Sequence, residues 1–397
     1  PTPHPTEDSR IKRTIGNRDQ LLAYLELSSF RKHLSGLPRG RALLIIAILL
    51  TPFINACSTR PLEPYSTDTP PLVLVPVSFA GVEDKRARFR EIFCEILEER
   101  KTILPDYRSC DEALTRVGAE PPGAGRGVEL GQSERRLVAA IVPGIGWDCF
   151  EGWIDPEGSG TRHVRQFGYD LVPLKVDGLS SSSNNARQIR DAIMQTGPRL
   201  GESRLVLIGY SKGIADILEA VVAYPEIRRF VAAVVSAAGS VGGSPLANHI
   251  KQSQFSMVRH WPGAQCSPGD GGALESLLPR TRKNWLAQNR LPRDFPYYSL
   301  ATCPQPERIS WILKSTYRKL GGADGRNDSQ VLFYDQVIPG STLIGYLNAD
   351  HWALMVPIAR SHKFLGSTFV NRNDFPREAL LEAILRFVEE DLAASAK

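Results

Sequence analysis

From about residue 136 onward, short apolar runs alternate with segments in which apolar residues recur every three or four positions. The runs are continuous, which is typical of strands buried on both faces of a parallel sheet. Strands that alternate with helices predict βαβ units, and so an α/β fold with a mostly parallel central sheet flanked by helices. The predicted strands are Leu137–Val142, Leu171–Val176, Leu205–Ile208, Val231–Val235, Pro296–Leu300 and Leu343–Leu347.

The helical period of apolar residues predicts the intervening helices. A helix over residues 85–100 has an apolar stripe beside a charged face, which is typical of a helix packed on a larger core. The remaining predicted helices are Asn184–Met194, Gly213–Tyr224, Ile309–Leu320 and the segment after Pro376.

The regular alternation stops between about residues 240 and 295, which predicts a lid-like insertion. Residues rich in Pro, Ser and Thr follow Cys57 and predict an extended linker. We therefore divide the chain into an N-terminal extension with a signal segment over 1–57, a linker over 58–84, a helical extension over 85–135 and the main domain over 136–397.

The N-terminal extension contains a short apolar run, Ala42–Leu50, preceded by basic residues. Its length fits the hydrophobic region of a signal peptide better than a membrane-spanning helix. The run leads to Ala56-Cys57-Ser58, which resembles a bacterial lipobox, in which the cysteine is lipidated and becomes the mature N-terminus. We predict lipidation of Cys57 and anchoring in the bacterial cell envelope, facing the periplasm. The alternative is a buried N-terminal helix with an incidental cysteine.

Ser58 follows the cysteine where an aspartate would indicate retention in the inner membrane, so the resemblance favours the outer membrane. In such an oxidising compartment disulfides persist. Five cysteines besides Cys57 leave at least one unpaired within the chain. We expect Cys149 to be a packed thiol, and we predict the pairs Cys94–Cys110 and Cys266–Cys303.

The charged residues, 48 basic and 43 acidic, give a net charge of +5 that is spread along the chain. No basic stripe interleaved with aromatic residues is present in the sequence, so we predict no nucleic-acid partner. No cysteine or histidine spacing is typical of a metal site, and the chemistry described next requires neither a metal nor an organic cofactor.

The pentapeptide Gly209-Tyr210-Ser211-Lys212-Gly213 follows one predicted strand and begins a predicted helix. This context resembles the nucleophile elbow of serine hydrolases, in which a strained turn exposes the serine. A serine hydroxyl needs a base, a group that orients the base, and hydrogen-bond donors for the oxyanion. We predict Ser211 as the nucleophile; the alternative is a tight turn with an ordinary serine.

The oxyanion donors are predicted from the backbone. The N–H of Lys212 lies at a helix N-terminus, where N–H groups are free and the helix dipole is positive. The second donor is expected from the glycine-containing loop after the first strand, as the N–H of Ile145 or Gly146. The alternative is a glycine turn without contact to substrate.

The base is predicted from the order nucleophile, acid, histidine that this fold uses. His351 directly follows the last predicted strand, whereas His249 and His260 lie in the insertion and His362 lies in a polar segment. We therefore predict His351 as the base. Four carboxylates remain candidates for the acid, namely Asp324, Asp328, Asp335 and Asp350.

Residues 137–358 resemble a bacterial α/β-hydrolase family related to lipases and esterases. The resemblance implies a Ser-Asp-His triad and a carboxylic ester as substrate, and residues 1–136 lie outside it. Asp328 lies in a turn similar to the Asn-Asp-Gly-x-Val turn that carries the acid in many lipases, with Ser329 in place of the glycine. The matching blocks are Val142–Gly144, Gly178–Ser182, Gly209–Gly213, Asp216–Glu219, Gly242–Pro245, Pro339–Gly340 and His351–Ala353.

The sequence thus predicts a hydrolase that cleaves a small-molecule or lipid ester through an acyl-enzyme. Ser211 attacks, His351 transfers the proton and Asp328, with Asp324 as the next candidate, orients His351. Two alternatives remain. The same triad could serve an acyltransferase or thioesterase, or the chain could be a non-catalytic envelope lipoprotein that retains the fold.

Overall fold

The computed structural model describes residues 81–133, 136–149, 159–250 and 267–395. The predictions for the signal segment, Cys57 and most of the linker lie outside these residues, as do His260 and Cys266. Among the helices of the described ranges, none combines the length and apolar character needed to cross a bilayer.

The described strands form one seven-stranded sheet in the order β1-β7-β6-β5-β4-β2-β3, and every pairing is parallel. This confirms the predicted fold class. Six strands match the predicted apolar runs to within a few residues. The strands are β1 Glu83–Asp84, β2 Leu137–Val142, β3 Asp170–Pro173, β4 Arg204–Tyr210, β5 Val231–Ala237, β6 Tyr297–Thr302 and β7 Thr342–Leu347.

The third strand is shorter than its prediction because it is the edge of the sheet. Its two end residues are exposed and its two central residues are only partly buried, unlike the fully buried β5, β6 and β7. It ends at Pro173, which has no N–H to donate and is tolerated at sheet edges.

Helices cover both faces of the sheet. The predicted helix Ile309–Leu320 begins as a 3-10 turn over Trp311–Leu313 and becomes α-helical only at Lys314. The α-helices are α1 Arg86–Arg100, α2 Cys110–Ala113, α3 Ser159–Arg165, α4 Ser182–Thr196, α5 Lys212–Ala223, α6 Pro279–Gln288, α7 Lys314–Gly321, α8 Ile358–Ser361, α9 Lys363–Thr368 and α10 Arg377–Ser395.

The N-terminal helix α1 packs into the core of the main domain. It shares one apolar cluster with α10 and one face of the sheet, whereas α4 and α5 pack on the opposite face. The rings of Phe89 and Tyr298 lie 6.0 and 5.6 Å from the ring of Phe387. The two residues ahead of α1 were assigned to the linker, but Glu83–Asp84 pair with β7 and extend the sheet.

Cys94 and Cys110 form a disulfide that joins α1 to α2, as predicted. The prediction of a Cys266–Cys303 pair is wrong, because Cys303 is a free thiol buried in an apolar cluster at the end of β6. Burial raises the pKa of this thiol to about 11. Cys149 is disulfide-bonded, so the expectation of a packed thiol is wrong as well.

The described parts of the predicted insertion are ordered by short helices. They comprise 3-10 turns at Pro245–His249 and Glu275–Leu277, followed by α6. The guanidinium of Arg282 in α6 is fully buried and pairs with Glu219 of α5 at 2.8 Å. This contact fixes the end of the insertion to the helix that follows β4.

A buried charge cluster joins α3 and α10. Glu382 accepts hydrogen bonds from Arg386 at 2.8 Å and pairs with His163 Nε2 at 2.7 Å. Arg100 of α1 lies 3.6 Å from the same carboxylate. Burial alone would raise the pKa of Glu382, but the hydrogen bonds from His163 and Arg386 outweigh it and hold the pKa below its ordinary value of 4.5.

A Glu382→Gln substitution should destabilise the protein by about 3 kcal/mol at neutral pH, because it leaves buried cations without their partner. A carboxylate with a lowered pKa contributes stability that is present above pH 4.5 and is lost as the pH falls through the native pKa. The difference in unfolding temperature between variant and wild type should therefore shrink below pH 4.5. Thermal unfolding of both proteins, followed by circular dichroism between pH 3 and 8, measures this difference in unfolding temperature.

Glu98→Gln is the matched control, because this side chain is 65% exposed and pairs with Lys101 at the surface. Its melting curve should follow that of the wild type at every pH. A Glu382→Gln difference that stayed constant across the pH range would contradict the proposed role of the carboxylate.

Candidate active site

Ser211 lies in a sharp turn between β4 and α5. Its backbone is left-handed, with φ 54° and ψ −125°, which is a strained conformation for a residue with a side chain. The turn leaves no space for side chains two residues away. A Cβ on Gly209 would lie 2.4 Å from Ile214 Cα, and a Cβ on Gly213 would lie 2.2 Å from the carbonyl oxygen of Val142. The Gly-x-Ser-x-Gly spacing is therefore a steric requirement of this turn.

His351 follows β7 and reaches the serine. Its Nε2 lies 2.9 Å from Ser211 Oγ, and both residues are about 95% buried. Tyr210, next to the serine, donates its hydroxyl to the His351 carbonyl oxygen at 2.6 Å. The elbow and the histidine loop are therefore held together by a second contact besides the Ser-His pair.

Asp328 lies on the other side of the imidazole. Its Oδ2 is 2.7 Å from His351 Nδ1, and its Oδ1 accepts the backbone N–H groups of Gln330 and Val331 at 2.9 and 2.8 Å. Its backbone carbonyl also accepts the N–H of His351 at 3.0 Å. Ser211, His351 and Asp328 therefore form one hydrogen-bonded chain.

Two of the other candidate acids, Asp324 and Asp350, are engaged elsewhere. Asp324 binds Arg326 through both of its oxygens. Asp350 is buried and accepts the backbone N–H groups of Ser310 and Ala353, which ties the loop that carries the histidine. Burial raises the pKa of Asp350 in spite of these donors.

Sequence reasoning missed two further side chains that hold Asp328. The hydroxyl of Thr302 donates to Asp328 Oδ2 at 2.6 Å, and Gln336 donates to the same oxygen at 3.3 Å. Thr302 is the last residue of β6, and its position at a strand end next to the site was the one available signal. Gln336 lies in a 3-10 turn and had no motif to mark it.

Ser329 occupies the position at which the similar lipase turn has glycine. Its φ is 82°, a left-handed value that glycine adopts without strain and other residues rarely adopt. The side chain is fully buried, and its hydroxyl has no hydrogen-bond partner among the described atoms. The turn thus keeps the backbone geometry that glycine would favour while carrying a serine.

The two predicted sources of oxyanion donors lie on either side of the serine. Within the described ranges, neither the N–H of Lys212 nor that of Ile145 donates to a protein acceptor. The N–H of Gly146 differs, because it donates to the Gly178 carbonyl at 3.1 Å and is not available to a ligand. A Cβ on Gly144 would lie 2.8 Å from Ser211 Cβ, so this loop approaches the nucleophile closely.

A cavity of about 680 Å³ lies beside these elements, bounded by the sheet and α10. Its walls include Pro143 and Trp147, on either side of Gly144–Gly146 in the loop after β2. They also include Tyr210, next to the serine, and Met355, four residues after His351. Most of the lining is apolar. In the described part of the chain, no cluster of three His, Cys, Asp or Glu side chains has an arrangement suited to a metal ion.

Comparison with known proteins places this arrangement in a family. The structure matches that of the metagenomic carboxyl esterase MGS0156 with a TM-score of 0.75 and 36% sequence identity, over 86% of this chain and 99% of the esterase. Weaker matches are the mature Bacillus licheniformis lipase BlEst2, with a TM-score of 0.47 and 20% identity over 60% of this chain and 93% of the lipase, and the Staphylococcus hyicus lipase, with a TM-score of 0.48 and 12% identity over 69% and 100%. No protein-family model and no curated protein matches the sequence.

The match to the esterase corrects the expected extent of the resemblance. Residues 137–397 make up about two-thirds of the chain, so a match over 86% of it includes residues before 137. The packing of α1 and β1 against the C-terminal elements gives the physical reason, since these elements complete the same sheet and core. With this identity over nearly the whole esterase, the chain belongs to the carboxyl-esterase family of α/β-hydrolases.

Proposed function

We propose that this protein is a serine esterase that cleaves carboxylic esters through an acyl-enzyme intermediate. The observation that carries the proposal is the hydrogen-bonded chain from Ser211 Oγ through His351 to Asp328, with distances of 2.9 and 2.7 Å. Membership of a carboxyl-esterase family supports the same conclusion from an independent direction.

In the first half-reaction, Ser211 Oγ attacks the ester carbonyl carbon while His351 Nε2 takes the hydroxyl proton. The carbonyl π electrons move to oxygen, and the oxyanion is bound by the N–H groups of Lys212 and Ile145. Asp328 accepts the Nδ1–H of His351, which fixes the tautomer and stabilises the imidazolium. The C–O bond to the alcohol then breaks, and the imidazolium gives its proton to the leaving oxygen.

In the second half-reaction, water takes the place of the alcohol. His351 removes a proton from water as it attacks the acyl carbon, and the same two N–H groups bind the second oxyanion. The bond to Ser211 Oγ then breaks and the serine recovers its proton from His351. The products are a carboxylic acid and a free enzyme.

The cavity supports an ester with an apolar acyl group. Its lining does not include Ser211 or His351, but it reaches Tyr210, the residue before the nucleophile. Pockets of about 300–1,000 Å³ hold drug-sized organic ligands, and this cavity lies within that range. Its walls include residues of β2, β3, β4 and β5 and the first half of α10. We therefore propose small-molecule or lipid esters as substrates.

We also propose, from the lipobox-like sequence, that Cys57 is lipidated and anchors the enzyme in the bacterial envelope facing the periplasm, with the outer membrane favoured over the inner. Mass spectrometry of the N-terminal peptide of protein expressed in a bacterial host should find diacylglycerol on Cys57. A mature chain that begins upstream of Cys57 and carries no lipid would refute the anchor while leaving the esterase proposal intact.

Ser211→Ala should lower kcat for p-nitrophenyl butyrate by about 10⁴-fold or more, because the covalent step is lost. Asp328→Asn should lower kcat by about 10⁴-fold, because the imidazole loses its correct tautomer. A fluorophosphonate probe should label the wild type at Ser211, as located by peptide mass spectrometry. Initial rates of p-nitrophenyl butyrate hydrolysis give kcat for both variants and for the wild type.

The matched control for the acid is Asp324→Asn, which removes a nearby carboxylate that binds Arg326 instead of the histidine. Its kcat should stay within about threefold of the wild type. Wild-type protein that is folded yet neither hydrolyses esters nor reacts with the probe would overturn the proposed function. A Ser211→Ala variant as active as the wild type would do the same.

Ser329→Gly should stabilise the protein by about 1–2 kcal/mol. Glycine removes the strain of a left-handed serine, about 1–3 kcal/mol, and removes a buried hydroxyl without a partner, against an entropic cost of about 0.5–1 kcal/mol. The thermal unfolding midpoint should rise by a few degrees. Ser315→Gly, on the exposed surface of α7, is the control and should lower the midpoint slightly; a lower midpoint for Ser329→Gly would contradict the strain argument.

A further inference from the structure

The residue that follows the nucleophile has a side chain buried beneath the site. Lys212 is 1% exposed, and its ammonium group donates to both oxygens of Asp216 at 2.7 and 2.9 Å. Asp216 is equally buried, one helical turn further along α5. Both charges therefore lie away from water, directly beneath the backbone N–H that is proposed to bind the oxyanion.

Such a pair is not explained by stability alone. Desolvation of two charges offsets most of their attraction, and well-packed apolar residues of similar volume often serve equally well. The hydrogen bonds of a buried polar network do, however, hold the elements that they join in a fixed geometry. The effect of the Lys212–Asp216 pair therefore depends on which elements it connects.

Asn185 of α4 continues the network. Its Nδ2 donates to Asp216 Oδ2 at 2.8 Å and to the backbone carbonyl of Asp177 at 3.0 Å. Because both neighbours are acceptors, the amide must present its nitrogen to them, and the two Nδ2 hydrogens are both used. Asn185 is 1% exposed, so these hydrogen bonds are shielded from competing water.

The network ends at the loop after β2, which carries Ile145 and Gly146. The residue after Asp177 is Gly178, whose carbonyl accepts the N–H of Gly146 at 3.1 Å. A Cβ on Gly178 would lie 2.7 Å from Gly146 N, so the two loops touch through their backbones. Gly178 N–H in turn donates to Asp148 Oδ1 at 3.1 Å, which holds the loop from its other end.

We propose that Lys212, Asp216 and Asn185 form a positioning bracket that sets the distance between the two oxyanion donors. One end of the bracket is Lys212, whose own N–H is a donor, and the other end is the Gly146–Gly178 contact next to the N–H of Ile145. The three side chains do not touch the substrate. They act through the backbone of the loops that do, and the proposal rests on the serine-esterase function given above.

The test replaces Asn185 by leucine, which keeps the volume and removes both hydrogen bonds of the bracket. Asn185→Leu should lower kcat by about 10–100-fold with KM within about twofold, because a displaced donor weakens transition-state binding more than ground-state binding. The inhibition constant of a trifluoromethyl ketone, which forms an oxyanion on Ser211, should rise by the same factor. That of the corresponding methyl ketone, bound as the neutral carbonyl, should not change.

The control is Asn184→Leu, the same substitution one residue earlier, where the side chain accepts a hydrogen bond from Arg187 instead. Its kcat and both inhibition constants should match those of the wild type. Rates are expressed per active site, titrated to completion with the fluorophosphonate probe, so that any loss of folded protein does not enter kcat.

A second variant covers the case in which Asn185→Leu does not fold. Lys212→Met together with Asp216→Leu removes both charges at once and should show the same loss of kcat and of trifluoromethyl ketone affinity. If the wild type is active and either folded variant keeps the wild-type kcat, the bracket is refuted and the esterase function stands. If the wild type itself hydrolyses no ester, the proposed function fails instead.

Discussion

The left-handed backbone at Ser211 is the constraint on which the rest of the site depends. A residue with a side chain adopts this conformation only when its surroundings impose it, at a cost of about 1–3 kcal/mol. Here the strand before it is buried in the middle of the sheet, and the helix after it packs against β4 at Gly209 and against the end of β2 at Gly213. The Ser211 carbonyl also accepts the N–H of Ser240 at 2.9 Å, from the loop after β5. The sheet, the helix and a neighbouring loop therefore together hold Ser211 in its strained backbone conformation.

The parallel sheet explains why residues far apart in the chain meet at this serine. All carboxyl ends of parallel strands lie along one edge, and the loops that leave them converge there. Ser211 follows β4, His351 follows β7, and Thr302 ends β6 and supports Asp328. Asp328 itself lies in a long connection between β6 and β7, where its backbone and side chain together hold the histidine loop.

The sequence was informative where a pattern has a steric or periodic cause. Continuous apolar runs located six strands, and the glycines around Ser211 marked the turn because a Cβ there would collide with backbone. Periodicity could not separate Asp324 from Asp328, because the two lie four residues apart in an aperiodic loop. The choice of Asp328 rested on the resemblance of its turn to a lipase turn, and the fold shows which carboxylate faces the imidazole. Tyr210 and Thr302 gave only the weak signal of a strand-end position, since a polar side chain there has many uses, and Gln336 lies in a 3-10 turn that no motif marks. β1 was missed because a strand of two residues is too short to show an alternation of apolar and polar positions.

The pairing of β1 with β7 has a consequence for how the chain folds. Residue 83 pairs with residue 342, and α1 packs against α10, so α1 finds its partners among residues that are synthesised much later. Contacts so distant in sequence slow folding and leave apolar surface exposed in the meantime. The Cys94–Cys110 disulfide, with a sequence separation of 16, is a covalent bond that can form before β7 is synthesised. A ribosome-bound chain that stops short of β7 would hold the central strands but would lack both a place for α1 and the histidine that follows.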